Sequence, residues 1–168
     1  MAKKTAKKTA PGIKLGSLVK DSITGFKGIA VGRTEFAFGC VHIRIQAQGL
    51  TKEGDPIPTH TFDDQRIEVL APPTQSWAEP KPTIVRIGNI VRDTASGAVG
   101  VASAKTTSLD GHVNFIIEQS GLTSDGTPKN PFFASAACVV LVDKRELKVS
   151  KDSTATSGGP MARPVIAR

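Results

Sequence analysis

The chain states one pattern twice, and that repetition constrains its fold more than any other feature. Gly16, Val19, Asp21, Gly25, Gly28 and Ala30 recur 72 positions later as Gly88, Val91, Asp93, Gly97, Gly100 and Ala102. The register continues without a gap. Gly39, Val41 and Ile45 return as Gly111, Val113 and Ile117, and Gly49, Leu50, Thr51, Gly54 and Pro56 as Gly121, Leu122, Thr123, Gly126 and Pro128. About a third of the positions from 16 to 56 recur identically, well beyond chance pairing of two segments. The 168 residues therefore divide into two modules of about 60–70 residues, each small enough to have only a thin core.

Within a module the local signals are those of short strands and tight turns. Leu15, Leu18 and Val19 open the first copy, and Asp21 starts a turn that Gly25 and Gly28 can close at positive φ. A strand is expected from Ile29 to about Phe38, with a reversal at Gly39. From Cys40 to Gln46 the sequence alternates, placing Val41, Ile43 and Ile45 on one face and Cys40, His42 and Arg44 on the other. Asp63-Asp64-Gln65 reads as one helical turn capped by Asp63, and Ile67 to Leu70 as a closing strand. Val113, Phe115 and Ile117 repeat the inward face, Asp110-Gly111 reads as a two-residue hairpin turn, and Cys138 to Val142 is an apolar run expected to be buried on both faces. That last feature makes the second module the expected docking half. Helical periodicity is nowhere sustained. The expectation is all-β: two tandem, strongly bent antiparallel barrels at 13–70 and 84–143.

Three segments lie outside the modules. Residues 1–12 form a basic arm, 71–83 a linker with four prolines, and 144–168 a C-terminal arm. The net charge of +7 suggests nucleic acid until it is mapped along the chain. From Ile13 to Asp143 there are 12 Lys or Arg against 13 Asp or Glu, a net of −1. Lys3, Lys4, Lys7 and Lys8 supply +4, and residues 144–168 supply six bases against two acids. A neutral body with basic ends attracts phosphate or acidic surfaces through its extremities. Met161, Arg163, Val165 and Ile166 form a short extended piece able to add to a sheet edge. The lone Trp77 sits in the linker, either covering a gap between the modules or anchoring a neighbour, and Phe132-Phe133 offers a second apolar anchor.

Chemistry is sparse. Cys40 and Cys138 are not repeat equivalents, since His112 stands opposite Cys40, so no duplicated disulfide or metal framework exists. Cys40 and His42 could supply half a zinc site, but no second pair has ligand spacing. Asp21 and Asp93 match, and most economically bond backbone amides of their turns. No nucleophile-histidine-acid grouping or phosphate loop is present, so no enzyme, cofactor or metal is expected. No run approaches the ~20 apolar residues of a membrane span. MAKKTAKKTAPG lacks the apolar stretch of a secretion signal, so synthesis in the cytoplasm and no membrane partner are expected.

The pattern Gly16-x-x-Val19-x-Asp21-x-x-Thr24-Gly25-Phe26-x-Gly28-Ile29-Ala30, with Gly39-Cys40 and a Phe62-Asp63 turn, resembles small single-module proteins encoded by tailed bacteriophages and prophages. The strand and turn order also resembles a Src-homology-3-type barrel. The second copy departs at four positions, with Ser96, Ala98, His112 and Ala134 in place of Thr24, Phe26, Cys40 and Phe62. The resemblance implies a phage source. Taken with the arms, it leads to the expectation of a virion structural protein, a capsid decoration or cement protein present in many copies and bridging major capsid or other virion subunits. The competing expectation is a phage protein that holds DNA or RNA through its lysine arm. A single fused sheet in place of twin units, or a deep cleft with converging ionisable groups in either half, would overturn the reading of the modules as inert spacers between adhesive ends.

Overall fold

In the computed structural model of the chain, residues 12–144 are described. Ten strands account for its regular structure: β1 (Leu18–Asp21), β2 (Lys27–Phe36), β3 (Val41–Gln46), β4 (His60–Asp63), β5 (Ile67–Ala71), β6 (Ile90–Asp93), β7 (Val99–Ser108), β8 (Val113–Glu118), β9 (Phe132–Ser135) and β10 (Val139–Asp143). Single 3-10 turns at Asp64–Arg66 and Ala136–Cys138 precede β5 and β10. Every element of the second half begins and ends 72 residues after its counterpart. The turns repeat as faithfully, because the ten described glycines at positive φ fall into five pairs with that same offset. Among the described residues no helix is long and apolar enough to cross a membrane.

Each half orders its strands alike, β5-β1-β2-β3-β4 and β10-β6-β7-β8-β9, and every pairing is antiparallel. Alternation within β3 and β8 puts Ile43, Ile45, Phe115 and Ile117 fully inside. Two cores result. One gathers Val19, Ala30, Ile43 and Ile45, and the other Val85, Val91, Ala102, Val113, Phe115, Ile117, Ala134 and Val139. Gly28 and Gly100 are required where β2 and β7 cross the ends of β3 and β8. A Cβ at Gly28 would collide with the Gln46 carbonyl group, and one at Gly100 with that of Glu118. Close backbone approach, with no positive φ, explains both residues.

The halves are not closed barrels, and they are not separate. Among the described residues β4 bonds only to β3, and β5 only to β1, so the sheet of each half stays open. β2 and β7 also pair with each other, fusing all ten strands into one sheet. The cause is a mismatch of strand lengths. β2 has ten residues, but β1 covers only Lys27 to Ile29 along one edge. The remaining edge from Gly32 to Phe36 would present unpaired amides and carbonyls, and β7 takes it, with Thr34 opposite Thr106. Those two threonines are repeat equivalents, so the strand meets its own copy across a local two-fold axis. Their hydroxyl oxygens lie 2.9 Å apart on that axis. Irregularities between Ala30 and Gly32 and between Ala102 and Ala104 free the carbonyls of Val31 and Ser103 from their own ladders. Each accepts a hydrogen bond from the other half, Leu109 N–H at 3.0 Å and Ala37 N–H at 2.8 Å. The joint is thus an isologous interface between two parts of one chain.

Two further expectations change. β10 is not buried on both faces: Val139 is inside, while Val140 and Val142 are about half exposed. Among the described residues it is an edge strand, paired on one side with β6, so its outward side chains are not covered by a second layer. The turn at Asp110-Gly111 is not the two-residue form, which needs positive φ at the first central position, here Asp110; only Gly111 has it. Gly111 N–H donates to the Ser108 carbonyl and Ser108 N–H to that of His112, a three-residue loop closed by a glycine bulge. Phe36 to Cys40 repeats it.

Candidate functional site

The joint between the halves carries a groove of about 580 Å³, and the linker forms its rim. Arg33 and Glu35 of β2 and Lys105 and Thr107 of β7 project into it, because residues 33, 35, 105 and 107 share one face of the fused strands. Arg33 donates to Glu35 at 2.8 Å. Trp77 also lines the groove and is about one-third exposed. Its indole Nε1 and Cδ1 occupy the space where a Cβ of Gly16, at φ +87°, would point. Further along, Lys81 N–H donates to the Gly111 carbonyl of the second half. The linker is therefore a strap laid across both modules, and Trp77 fills the gap over Gly16 while keeping one edge open to solvent.

The repeated aspartates are buried structural groups. Asp21 accepts from Thr24 N–H at 2.7 Å and Thr24 Oγ1 at 2.6 Å, as the sequence suggests. It also receives Arg66 Nε and one terminal nitrogen, both at 2.9 Å. These charge-assisted bonds outweigh burial, and with the Thr24 donors they hold the Asp21 carboxyl far below the usual carboxylate range. Cys138 stands where Arg66 would recur. Asp93 is held low mainly by the Ser96 hydroxyl and amide.

Of the residues expected to bind partners, Lys3, Lys4, Lys7, Lys8, Met161, Arg163, Val165 and Ile166 lie outside the described residues. Phe133 is exposed, but Phe132 turns inward and packs against the second core, because neighbours on a strand face opposite ways. Exposed apolar side chains do recur in equivalent places. Leu50 and Leu122 are 65% and 62% exposed, and Leu70 and Val142 on the edge strands β5 and β10 are 44% and 49% exposed.

One cluster joins residues that are distant in sequence. Cys40 and His42 alternate onto the same face, with Cys40 Sγ 3.2 Å from His42 Nε2. β4 places Asp63 directly opposite His42 in the ladder, and Asp63 Oδ2 lies 3.8 Å from Cys40 Sγ. Desolvation, followed by the charge of Asp63, pushes the Cys40 thiol up. The sequence marks Asp63 only as a cap, so this third group is not legible before β4 is paired with β3. No protein-family model, curated protein or solved structure matches the chain.

Proposed function

We propose that this chain is a structural protein of a tailed-phage virion, a capsid decoration or cement protein that bridges neighbouring capsid subunits in many copies. The observation that carries this reading is the pseudo-two-fold block itself. It presents equivalent exposed apolar groups, Leu50 with Leu122 and Leu70 with Val142, on its two halves. A body with the same adhesive surface twice is bivalent, and a rigid joint fixes the spacing of the two sites. In place of two inert spacers on a tether, the chain supplies one stiff bracket. The order β5-β1-β2-β3-β4 and the 3-10 turn before the last strand, present in each half, support a likeness to a Src-homology-3-type barrel that is opened rather than closed. The basic ends would lie on acidic or sheet-edge surfaces of the neighbours, with Trp77 and Phe133 as apolar anchors. Neither the strap groove nor the cluster at Cys40 combines an activated nucleophile with an enclosed pocket, so a binding role is favoured over an enzymatic one.

The second reading, a nucleic-acid-associated phage protein gripping DNA or RNA through Lys3, Lys4, Lys7 and Lys8, rests on the confinement of excess positive charge to the ends. Co-sedimentation with purified capsids, beside DNA retention in rising salt, separates the two, using the full chain and a version starting at Ile13. Capsid binding that is lost in the paired substitution L50D/L122D supports the bracket. DNA retention that disappears with residues 1–12, without capsid binding, overturns it in favour of the second reading.

A further inference from the structure

We infer that Cys40, His42 and Asp63 form a binding site for one divalent transition-metal ion of borderline softness, of which Zn2+ is the natural occupant. Their donor atoms all lie within 4.8 Å of one another. Bonds of about 2.3 Å to sulfur and 2.0–2.2 Å to nitrogen and oxygen, at tetrahedral angles, place donors about 3.5 Å apart. The observed 3.2 Å and 3.8 Å separations bracket that value. Thiolate, imidazole and carboxylate are three of the donors zinc prefers, and three protein ligands leave one position for water.

Three observations favour an ion over a self-satisfied cluster. First, Asp63 Oδ2 stands 3.8 Å from Cys40 Sγ, so a carboxylate faces the sulfur, and a cation placed between a carboxylate and a thiolate turns their repulsion into attraction. Second, the carboxylate exceeds what the local fold requires. Asp63 Oδ1 caps the 3-10 turn by accepting from Gln65 N–H at 2.9 Å, but Ser135 performs the same task in the second half with an uncharged hydroxyl. Oδ2 is therefore available for ligation. Third, the geometry is wrong for a nucleophile relay. There a carboxylate orients the histidine through its far ring nitrogen, whereas Asp63 approaches the sulfur itself.

The ring of His42 is also held in place, meeting Phe36 edge-on with centroids 5.0 Å apart. On binding, the Cys40 S–H bond breaks, a sulfur–metal bond forms, and the proton passes to solvent. The bound ion would fasten β4 and the turn before β5 to the hairpin that precedes β3. Only the first half carries the site, because the equivalent positions hold His112, Asn114 and Ser135. One ion per chain follows.

The test uses the full chain stripped of metal, titrated with Co2+ as a spectroscopic probe and then with Zn2+ in competition. The expected result is one Co2+ per chain with a thiolate-to-cobalt charge-transfer band and tetrahedral visible bands, displaced by one Zn2+. C40S, H42Q and D63N each weaken binding by at least ~100-fold, beyond what loss of an outer-shell partner costs. C138S leaves binding unchanged. Asn also caps helical turns, so D63N with unaltered circular dichroism separates loss of a ligand from loss of the fold. Absence of the charge-transfer band at saturating Co2+, its persistence in C40S, or its dependence on Cys138 would each overturn the site. Capsid binding is independent of all these outcomes.

Discussion

Truncating Phe115 to alanine tests whether the fused sheet makes the two halves one cooperative body. Phe115 is wholly buried at the centre of the second core, and Phe→Ala at such a site costs about 3–5 kcal/mol, combining lost transfer energy with a cavity. The shift in Tm depends on how much of the chain melts with it. About 130 residues unfolding together, at ~2.1 cal/mol/K per residue, give an unfolding entropy near 0.28 kcal/mol/K, so ~4 kcal/mol lowers Tm by about 14 °C. The second half alone, about 60 residues, would fall by about 30 °C. Trp77 decides between them, because it is the only tryptophan and its indole sits on Gly16 of the first half. Melts of F115A followed by Trp77 fluorescence and by far-ultraviolet circular dichroism should show one coincident transition, with both probes displaced by the smaller amount. The milder F115L, costing under ~1.5 kcal/mol, guards against outright loss of the fold and should move both probes by about 5 °C or less. A Trp77 midpoint that stays at its wild-type value while circular dichroism shows an earlier step would refute the coupling through β2 and β7.

The other expectations probe single contacts. Thr34→Val or Thr106→Val alone should cost about 1 kcal/mol by stranding one hydroxyl at the two-fold joint, and the double variant should recover much of it, read as a coupling term in a urea double-mutant cycle. Gly28→Ala and Gly100→Ala should each destabilise by about 1–3 kcal/mol in urea titrations, because the added methyl meets a backbone carbonyl group that cannot swing away. Gly16→Ala should dislodge the indole and red-shift Trp77 emission, and an unshifted spectrum would contradict the strap geometry. For Asp21 the folded-state pKa is lowered, chiefly by Arg66, so the unfolded chain takes up the proton first as pH falls. Its contribution is complete above the ordinary carboxylate range and declines from about pH 4 downward. Urea midpoints between pH 7 and pH 2 should show that decline in the native protein and a flatter slope in D21N.

Much of this architecture was legible because it is local. The 72-residue offset gave the duplication, and glycines at matching positions marked turns that recur residue for residue. Alternation from Cys40 to Gln46 assigned faces correctly, since a strand's period of two depends only on its own residues. The Asp63 cap and the Asp21 turn were equally visible, each satisfied within a few residues. What stayed hidden lay in the edges of strands. Alternation tells which side chains point inward, but it is silent on which backbone takes the next place in the sheet. The joint follows from a ten-residue β2 beside a four-residue β1, in both copies, and those lengths are fixed only once the strands have paired.

The amino-acid sequence by itself determined that the molecule is all-β, that it is built twice, and that its body is nearly neutral with cationic ends. Tertiary structure alone decided that the copies share one sheet about Thr34 and Thr106, that Arg66 reaches Asp21, and that Asp63 joins Cys40 and His42. The division has a physical cause. Turn formation and side-chain facing are settled over a few bonds, whereas an unpaired strand edge and a lone carboxylate are satisfied by whatever the whole chain brings near them.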